Sequence, residues 1–294
     1  MYDRFYGFTT RPFALTPDPA FLYLSPQHST ALTLLEYGLD AQASFALLTG
    51  DIGSGKTTLV RHLVRQVGAE AAVALISNTH GGFRSVHPWV AQALAVVPAD
   101  DSDVAVYEAI VDCFVREYAR GRRTLLIIDE AQNLSPSLLE ELRLLSNVNS
   151  EKDLVLQVLL VGQPELRQTL LRAELRQLAQ RVSVDFHLRP LAPPDTTAYI
   201  RHRLATAGVV RELFDAESVG LIHAQTQGVP RLINQLCDIA LVYGYADGRP
   251  TIDAATVTKV LLDREAATAL PVFAGLAPGA DLARADRQAG QAHP

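Results

Sequence analysis

A glycine-rich stretch at residues 50–58 constrains the fold of this chain more than any other part of its sequence. It reads GDIGSGKTT, follows an apolar run at residues 45–48 and precedes an amphipathic run at residues 59–64. The spacing G-x-x-x-x-G-K-[ST] between a strand and a helix is typical of a phosphate-binding loop, also called Walker A. Its glycines let backbone N–H groups turn towards an anion, and the helix dipole adds positive potential. This stretch therefore predicts nucleoside triphosphate binding.

Each residue of the loop is a candidate ligand of a nucleotide or of its Mg²⁺ ion. We expect Lys56 to reach the β- and γ-phosphates, and the Thr57 hydroxyl to bind Mg²⁺. The predicted nucleotide-binding residues of the loop are Gly50, Asp51, Ile52, Gly53, Ser54, Gly55, Lys56, Thr57 and Thr58.

A second motif, of the Walker B kind, occupies residues 124–130. Four apolar residues at 125–128 precede Asp129 and Glu130. Ligands of open α/β sheets lie at the carboxyl ends of the strands, which is where this pair of carboxylates is expected. Asp129 is predicted to hold the Mg²⁺ coordination sphere, and Glu130 to orient and deprotonate an attacking water.

Composition limits the class of protein. The chain has 294 residues, 48% of them hydrophobic, and a formal net charge of −6, so a generally basic nucleic-acid-binding surface is not expected. Its two cysteines lack metal-ligand spacing, and its first residues lack the basic start and apolar run of a signal peptide. No run reaches the ~18 apolar residues of a membrane span. These features predict a cytoplasmic chain without a direct membrane span.

Strand patterns at residues 72–76, 124–128, 153–163 and 183–188 alternate with helical patterns, which predicts an α/β fold: a parallel sheet with helices on both faces, in three layers. Gln163 ends one of these runs, where its amide could contact a γ-phosphate or the attacking water. From residue 193 the pattern changes to four helices, at about 195–208, 216–227, 230–245 and 253–267. They predict a small all-helical lid domain.

We divide the chain into an N-terminal arm at residues 1–27, a nucleotide-binding domain at 28–190, a lid at 191–267 and a disordered tail at 268–294. The arm is rich in aromatic residues and proline. Proline excludes a long helix there. The arm either lies across the nucleotide-binding domain and forms part of the base pocket, or serves core packing alone.

The order of these parts resembles the AAA+ ATPases, which are P-loop NTPases with a helical lid. Four segments also resemble the ExeA/GspA family of secretion ATPases: FYGF at 5–8, TPDPAFLYLS at 16–25, DEAQNL at 129–134 and VGQPEL at 161–166. The similarity covers nearly all of residues 1–265. It implies ATP as the nucleotide, Mg²⁺ as the cofactor and ATP hydrolysis as the activity.

The resemblance also implies roles for individual residues. Gln163 stands at the sensor-1 position. Asn78 stands where AAA+ proteins often restrain the catalytic glutamate until a ligand arrives. Arg231 matches the sensor-2 arginine, which reaches from the lid to the γ-phosphate; a guanidinium offers a planar fork of donors for phosphate oxygens.

The resemblance further implies assembly into a homo-oligomer in the form of a ring, because an arginine finger acts in a neighbouring subunit's site. Arg181 is the leading candidate for this finger, Arg176 is the reserve, and Arg172 and Arg189 rank below them.

Three functions remain open. The first is an ATP-driven motor or switch in secretion or envelope assembly, acting with a protein partner. The second is a DNA-binding regulator of transposition, because ATPases of the TnsC/TniB/MuB kind share this core; the densest basic cluster is Arg116, Arg120, Arg122 and Arg123. The third is a nucleotide-dependent scaffold with little turnover.

Larger secretion ATPases commonly continue into a membrane span and a peptidoglycan-binding domain. Neither occurs here, so a stand-alone relative is expected.

Overall fold

A computed structural model of the chain describes residues 1–16, 18–77, 84–148 and 154–267. The chain divides into two compact units. The sheet unit is Thr16–Pro190, and the helical unit combines Met1–Leu15 with the chain from Leu191 onwards. Within the part that the structure describes, no helix is both long and apolar enough to cross a membrane. The predicted disordered tail at 268–294 lies outside the described residues.

The sheet unit is built on five parallel strands in the spatial order β2-β3-β4-β1-β5. The strands are β1 (Phe45–Gly50), β2 (Ala71–Ile76), β3 (Arg123–Ile128), β4 (Leu156–Gly162) and β5 (Val182–Leu188). Because β1 lies between β4 and β5, and β3 and β4 are adjacent, the segments that follow β1, β3 and β4 leave the same edge of the sheet close together.

The helices surround this sheet or form the helical unit. They are α1 (Asp3–Tyr6), α2 (Pro26–Asp40), α3 (Lys56–Val67), α4 (His87–Ala93), α5 (Asp103–Ala119), α6 (Pro136–Leu145), α7 (Pro164–Leu170), α8 (Arg176–Ala179), α9 (Pro193–Thr206), α10 (Ala216–Thr226), α11 (Pro230–Ala246) and α12 (Ala254–Ala267). Short 3₁₀ helices occupy Pro19–Phe21, Gly68–Glu70, Ala131–Asn133 and Ala173–Leu175.

The side chains of the strands alternate between the two faces of the sheet, and each face has its own hydrophobic core. In β3, Leu125 and Ile127 face the apolar residues of α2 and α3, whereas Leu126 and Ile128 face those of α4 to α8. Successive side chains of a strand point to opposite faces, so a continuous apolar run is what a sheet covered on both faces requires. The predicted three-layer α/β architecture with a parallel sheet and C-terminal helices is confirmed.

The structure interrupts one segment of the sheet unit that has a continuous helical pattern in sequence. The sequence favours one helical stretch over residues 165–179, but the structure has α7, then an extended backbone at Arg172, then the 3₁₀ helix and α8. The apolar spacing explains the break. Leu170 and Leu175 are five residues apart, so one unbroken helix could not turn both towards the core they share.

The helical unit contains the four predicted lid helices, observed as α9 to α12, and also the first fifteen residues of the chain. The predicted arm at residues 1–27 is thus divided between the two units. The aromatic residues of the first segment explain its position: Tyr6 and Phe13 are buried, and the Tyr6 hydroxyl donates to Leu241 O at 3.2 Å. Arg203 Nε donates to Pro12 O at 2.5 Å.

Candidate nucleotide-binding site

The predicted phosphate-binding loop connects β1 to α3, as its sequence context requires. Gly53 and Gly55 have φ angles of 81° and 101°, a left-handed region that disfavours side chains with a Cβ atom. At Gly50 a Cβ atom would lie 2.7 Å from Leu188 O. Ile52, at the tip of the loop, is 61% exposed. The three glycines therefore permit the sharp path of this loop.

Lys56 opens α3 and folds back onto the loop. Its Nζ donates to Gly50 O at 2.7 Å and to Asp51 O at 2.9 Å, and only 6% of the residue is exposed. Burial lowers the pKa of Lys56, while the nearby carboxylates of Glu130 and Asp129 partly oppose this shift. The loop thus holds a desolvated cation beside the predicted acidic pair.

The loop and the end of β3 meet through a direct hydrogen bond. Thr57 Oγ1 donates to Asp129 Oδ2 at 2.8 Å, and Asp129 Oδ1 accepts from Glu130 N at 2.9 Å. The two residues are 72 positions apart in sequence. A hydroxyl and a carboxylate are oxygen ligands of the kind that Mg²⁺ prefers, so Thr57 and Asp129 fit the predicted ion.

Glu130 follows Asp129 in a left-handed backbone conformation, with φ of 56°. Its Oε2 accepts from Gln163 Nε2 at 3.3 Å, at the carboxyl end of β4. A non-glycine residue in this region costs roughly 1 kcal/mol or more, and such strain often accompanies functional sites. The structure therefore brings Glu130 and Gln163 together at one edge of the sheet.

Gln132 is a member of this cluster that sequence reasoning missed. Its Nε2 donates to Glu130 Oε2 at 2.6 Å, and its Oε1 accepts from Gln163 N at 3.0 Å. A Cβ atom at Gly162 would lie 2.8 Å from Gln132 Oε1, so this glycine makes room for the amide. The only sequence signal was an amide two residues after the acidic pair.

The structure shows no hydrogen bond or ion pair between the predicted finger arginines and this cluster in the part of the chain that it describes. Arg181 is half-buried and its Nη1 donates to Ser146 Oγ at 2.9 Å, while Arg176 and Arg189 are exposed and Arg172 lies 3.9 Å from Glu174. Arg231 is exposed in the first turn of α11, in the helical unit. Asn78 lies outside the described residues.

Comparisons with known proteins agree with this architecture. Residues 39–170 match a family described as an AAA domain. The ORC2 protein of Aeropyrum pernix has a TM-score of 0.65 at 17% identity, over 87% of this chain and 72% of that one. The ORC1 protein of the same organism, solved in complex with DNA, has a TM-score of 0.64 at 21% identity, over 88% and 70%. The fold and the loop define an AAA+ protein of the P-loop NTPase class.

Sequence similarity narrows this class. The chain is 40% identical over 249 residues to general secretion pathway protein A of Aeromonas hydrophila, which covers 84% of this chain. The resemblance to the ExeA/GspA family is therefore confirmed. The chain spans about half of that relative, 46% of its length.

Proposed function

We propose that this protein binds and hydrolyses ATP and acts as an oligomeric motor or switch in secretion or envelope assembly. The observation that carries the proposal is the contact between the phosphate loop and the acidic strand end. Thr57 bonds to Asp129, and the next residue, Glu130, meets Gln163. One edge of the sheet thus gathers a cation, two oxygen ligands for Mg²⁺, a candidate base and an amide.

Each group has a distinct task in attack of water on the γ-phosphate. Lys56 binds the β- and γ-phosphates, and its buried ammonium has a stronger electrostatic effect than an exposed one. Thr57 and Asp129 hold Mg²⁺, which when bound neutralises charge on the phosphate oxygens. Glu130 orients the attacking water and accepts its proton, and Gln163 positions the water or the γ-phosphate.

Arginines complete the proposed mechanism. Arg231 binds the γ-phosphate from the lid, and Arg181 stabilises transition-state charge in the site of a neighbouring subunit. Asn78 restrains Glu130 until a ligand arrives. The exposed position of Arg231 leaves its guanidinium accessible to a ligand. To act as the finger, Arg181 would have to give up its hydrogen bond to Ser146 and bind the phosphate in the neighbouring subunit. Arg176 is exposed and is therefore the second candidate for the finger.

The similarity to general secretion pathway protein A supports a role in a secretion or envelope system, and we expect a protein partner there. The alternative is an ATP-dependent DNA-binding regulator of transposition. A protein of similar fold, ORC1 of Aeropyrum pernix, was solved in complex with DNA.

Contacts within the basic cluster weigh against DNA binding at that place. Arg120 and Arg122 both pair with Glu117, and Arg123 lies 4.0 Å from Asp40 and bonds to Leu39 O. DNA affinity depends on cations that can neutralise phosphates, and these three are already engaged.

The test of the activity is Glu130→Gln. The variant keeps the size of the side chain but loses its basicity, so ATP binding is expected to remain while hydrolysis falls by about 10²-fold to 10⁴-fold. Calorimetric ATP titration and phosphate release measure the two quantities on the same preparation. Normal turnover in the variant would exclude Glu130 as the base.

Assembly and DNA dependence are tested together by measuring hydrolysis against protein concentration, with and without duplex DNA, at two salt concentrations. Specific activity that rises with concentration supports a finger supplied in trans. Arg181→Ala should remove that rise and Arg172→Ala should keep it. Stimulation by DNA that salt abolishes would favour the transposition alternative.

A further inference from the structure

His28 lies behind the phosphate loop, in the first turn of α2, and is 4% exposed. Its Nε2 lies 3.1 Å from Ser54 O, and its Nδ1 lies 2.7 Å from Ser25 Oγ. Ser25 is the N-cap of α2, with its Oγ 3.4 Å from His28 N. The imidazole is therefore held at one end by a helix cap and at the other by the loop backbone.

The chemistry of these partners determines where the imidazole carries its proton. A carbonyl oxygen can only accept a hydrogen bond, so Nε2 must carry hydrogen to bond with Ser54 O. In the neutral ring Nδ1 is then an acceptor, and Ser25 Oγ donates to it. The contacts thus select the Nε2–H tautomer of His28.

This bond orients one peptide unit of the loop. In a planar trans peptide the C=O of Ser54 and the N–H of Gly55 point in opposite directions. Because Ser54 O faces His28, the Gly55 N–H faces away from the imidazole, on the side of the loop that remains for an anion. Gly55 has a φ of 101°, and a Cβ atom there would lie 3.1 Å from His28 Nε2.

We propose that His28 is a positioning residue of the phosphate loop, which fixes the Ser54–Gly55 peptide so that the Gly55 N–H is ready to bind a nucleotide phosphate. The inference rests on the proposed function and adds to it a residue outside the loop, 26 positions before its carbonyl acceptor. Orienting the donor before the ligand arrives reduces the ordering cost of binding.

Three substitutions of His28 separate hydrogen bonding from packing. His28→Gln places an amide nitrogen the same number of bonds from the backbone as Nε2 and can still donate to Ser54 O. His28→Asn can reach only as far as Nδ1 does, towards Ser25. His28→Ala removes both contacts. Thr30→Ala is the matched control, because it removes a hydrogen bond to Pro26 O elsewhere on the same helix.

Calorimetric titration with ATP and Mg²⁺ should show Kd about tenfold higher for the Ala and Asn variants, which is the scale of one lost hydrogen bond. The Gln variant and the Thr30 control should stay close to the unchanged protein. If the Gln and Asn variants bound ATP with the same affinity as each other, but more weakly than the unchanged protein, packing alone would explain the effect. That result would overturn the proposal. Unchanged affinity in all three His28 variants would also overturn it.

Two measurements without nucleotide keep this inference separate from the proposed function. Hydrogen exchange over residues 50–58 should be faster in the Asn variant than in the Gln variant. The ¹⁵N spectrum of the imidazole in the unchanged protein should show hydrogen on Nε2. If the protein binds no ATP while both results hold, the proposed function fails and only the orientation of the Ser54–Gly55 peptide by His28 stands. Hydrogen on Nδ1 alone overturns that orientation as well.

Discussion

Each unit of the protein contains a buried cation that donates to backbone carbonyls, but the two cations differ in where their acceptors lie. Lys56 of the sheet unit is 6% exposed and contacts Gly50 O and Asp51 O, six and five residues before it. Arg203 of the helical unit is 8% exposed and contacts Pro12 O and Ala14 O, 191 and 189 residues before it.

The separation in sequence decides what each contact can do. The acceptors of Lys56 belong to its own loop, so phosphate oxygens can replace them without detaching any distant part of the chain. The acceptors of Arg203 belong to the N-terminal segment, and Tyr199 also receives a bond from it, at 3.3 Å. Their loss would release that segment. Burial alone therefore does not show whether a charged side chain binds a ligand or stabilises the fold.

Lys56→Met should have the largest effect and should act on binding alone. Loss of about two charge-assisted hydrogen bonds, at about 2 kcal/mol each, predicts an ATP affinity about 1000-fold lower. Stability without nucleotide should change by no more than about 1 kcal/mol, because Asp51 is exposed, so water can reach its freed carbonyl, and the apolar replacement also removes a buried charge. Calorimetric titration and urea unfolding measure these two quantities. If Lys56→Met were strongly destabilised, Lys56 would have a structural role like that of Arg203, and the contrast between the two cations would fail.

Arg203→Met should have the opposite profile. It leaves two carbonyls and a buried hydroxyl without their donor, which predicts a loss of about 3 kcal/mol in unfolding free energy. Urea unfolding and faster hydrogen exchange in residues 1–15 measure the loss. Arg201→Met is the control on the same helix: Arg201 is 65% exposed and pairs with exposed Glu212, so about 0.5 kcal/mol or less is expected.

Gln132→Ala sharpens the comparison within the sheet unit. The amide orients Glu130 without belonging to the loop, so kcat should fall by about 10-fold to 100-fold, the scale of a misplaced catalytic group. Kd for ATP should remain unchanged. Gln66→Ala, at an exposed site on α3, serves as the control. A parallel loss of affinity would mean that Gln132 shapes the loop itself.

Tyr6→Phe should have the smallest effect, about 1 kcal/mol at neutral pH, because it removes the hydroxyl contacts to Leu241 O and Arg249 O. Burial raises the pKa of Tyr6 from 10.0 to about 12. The unfolded chain therefore ionises first as pH rises from 10 to 12, and the stability of the unchanged protein falls there.

The Tyr6→Phe variant lacks this ionisation. The difference in unfolding free energy between it and the unchanged protein should therefore shrink above pH 10. Urea unfolding at pH 7, 10 and 11 checks this trend. Tyr37→Phe, at a residue that is 65% exposed, should show neither the neutral-pH loss nor the alkaline convergence. A deficit that grows above pH 10 would contradict the assigned effect of burial.

Local patterns predicted the fold class because β1 to β4 are largely apolar runs, β5 alternates apolar and polar residues, and polar motifs follow several of these strands. The loop at 50–58 and the pair Asp129 and Glu130 were recognisable for that reason. Thr57 and Asp129 were both assigned to Mg²⁺, and the structure has them in hydrogen-bond contact. The roles of all the predicted site residues stay predictions: the loop residues, Asp129, Glu130, Gln163, Arg181, Arg231 and Asn78.

Other features required long-range contacts and had no local signal. Gln132 and Gln163 are both amides near strand ends, but only the packing of β3 beside β4 turns both towards Glu130. The basic cluster at residues 116–123 looked available in sequence, yet three of its arginines contact Glu117 or the C-terminal end of α2.

The sequence alone determined the position of the phosphate loop, the parallel sheet and the helical C-terminal part, because apolar periodicity and glycine spacing act over a few residues. Only the tertiary structure decided that residues 1–15 join the helical unit, that Gln132 joins the acidic pair and that His28 contacts the loop. These outcomes depend on which distant donors and acceptors become buried together, because a buried polar group needs a partner wherever the chain supplies one.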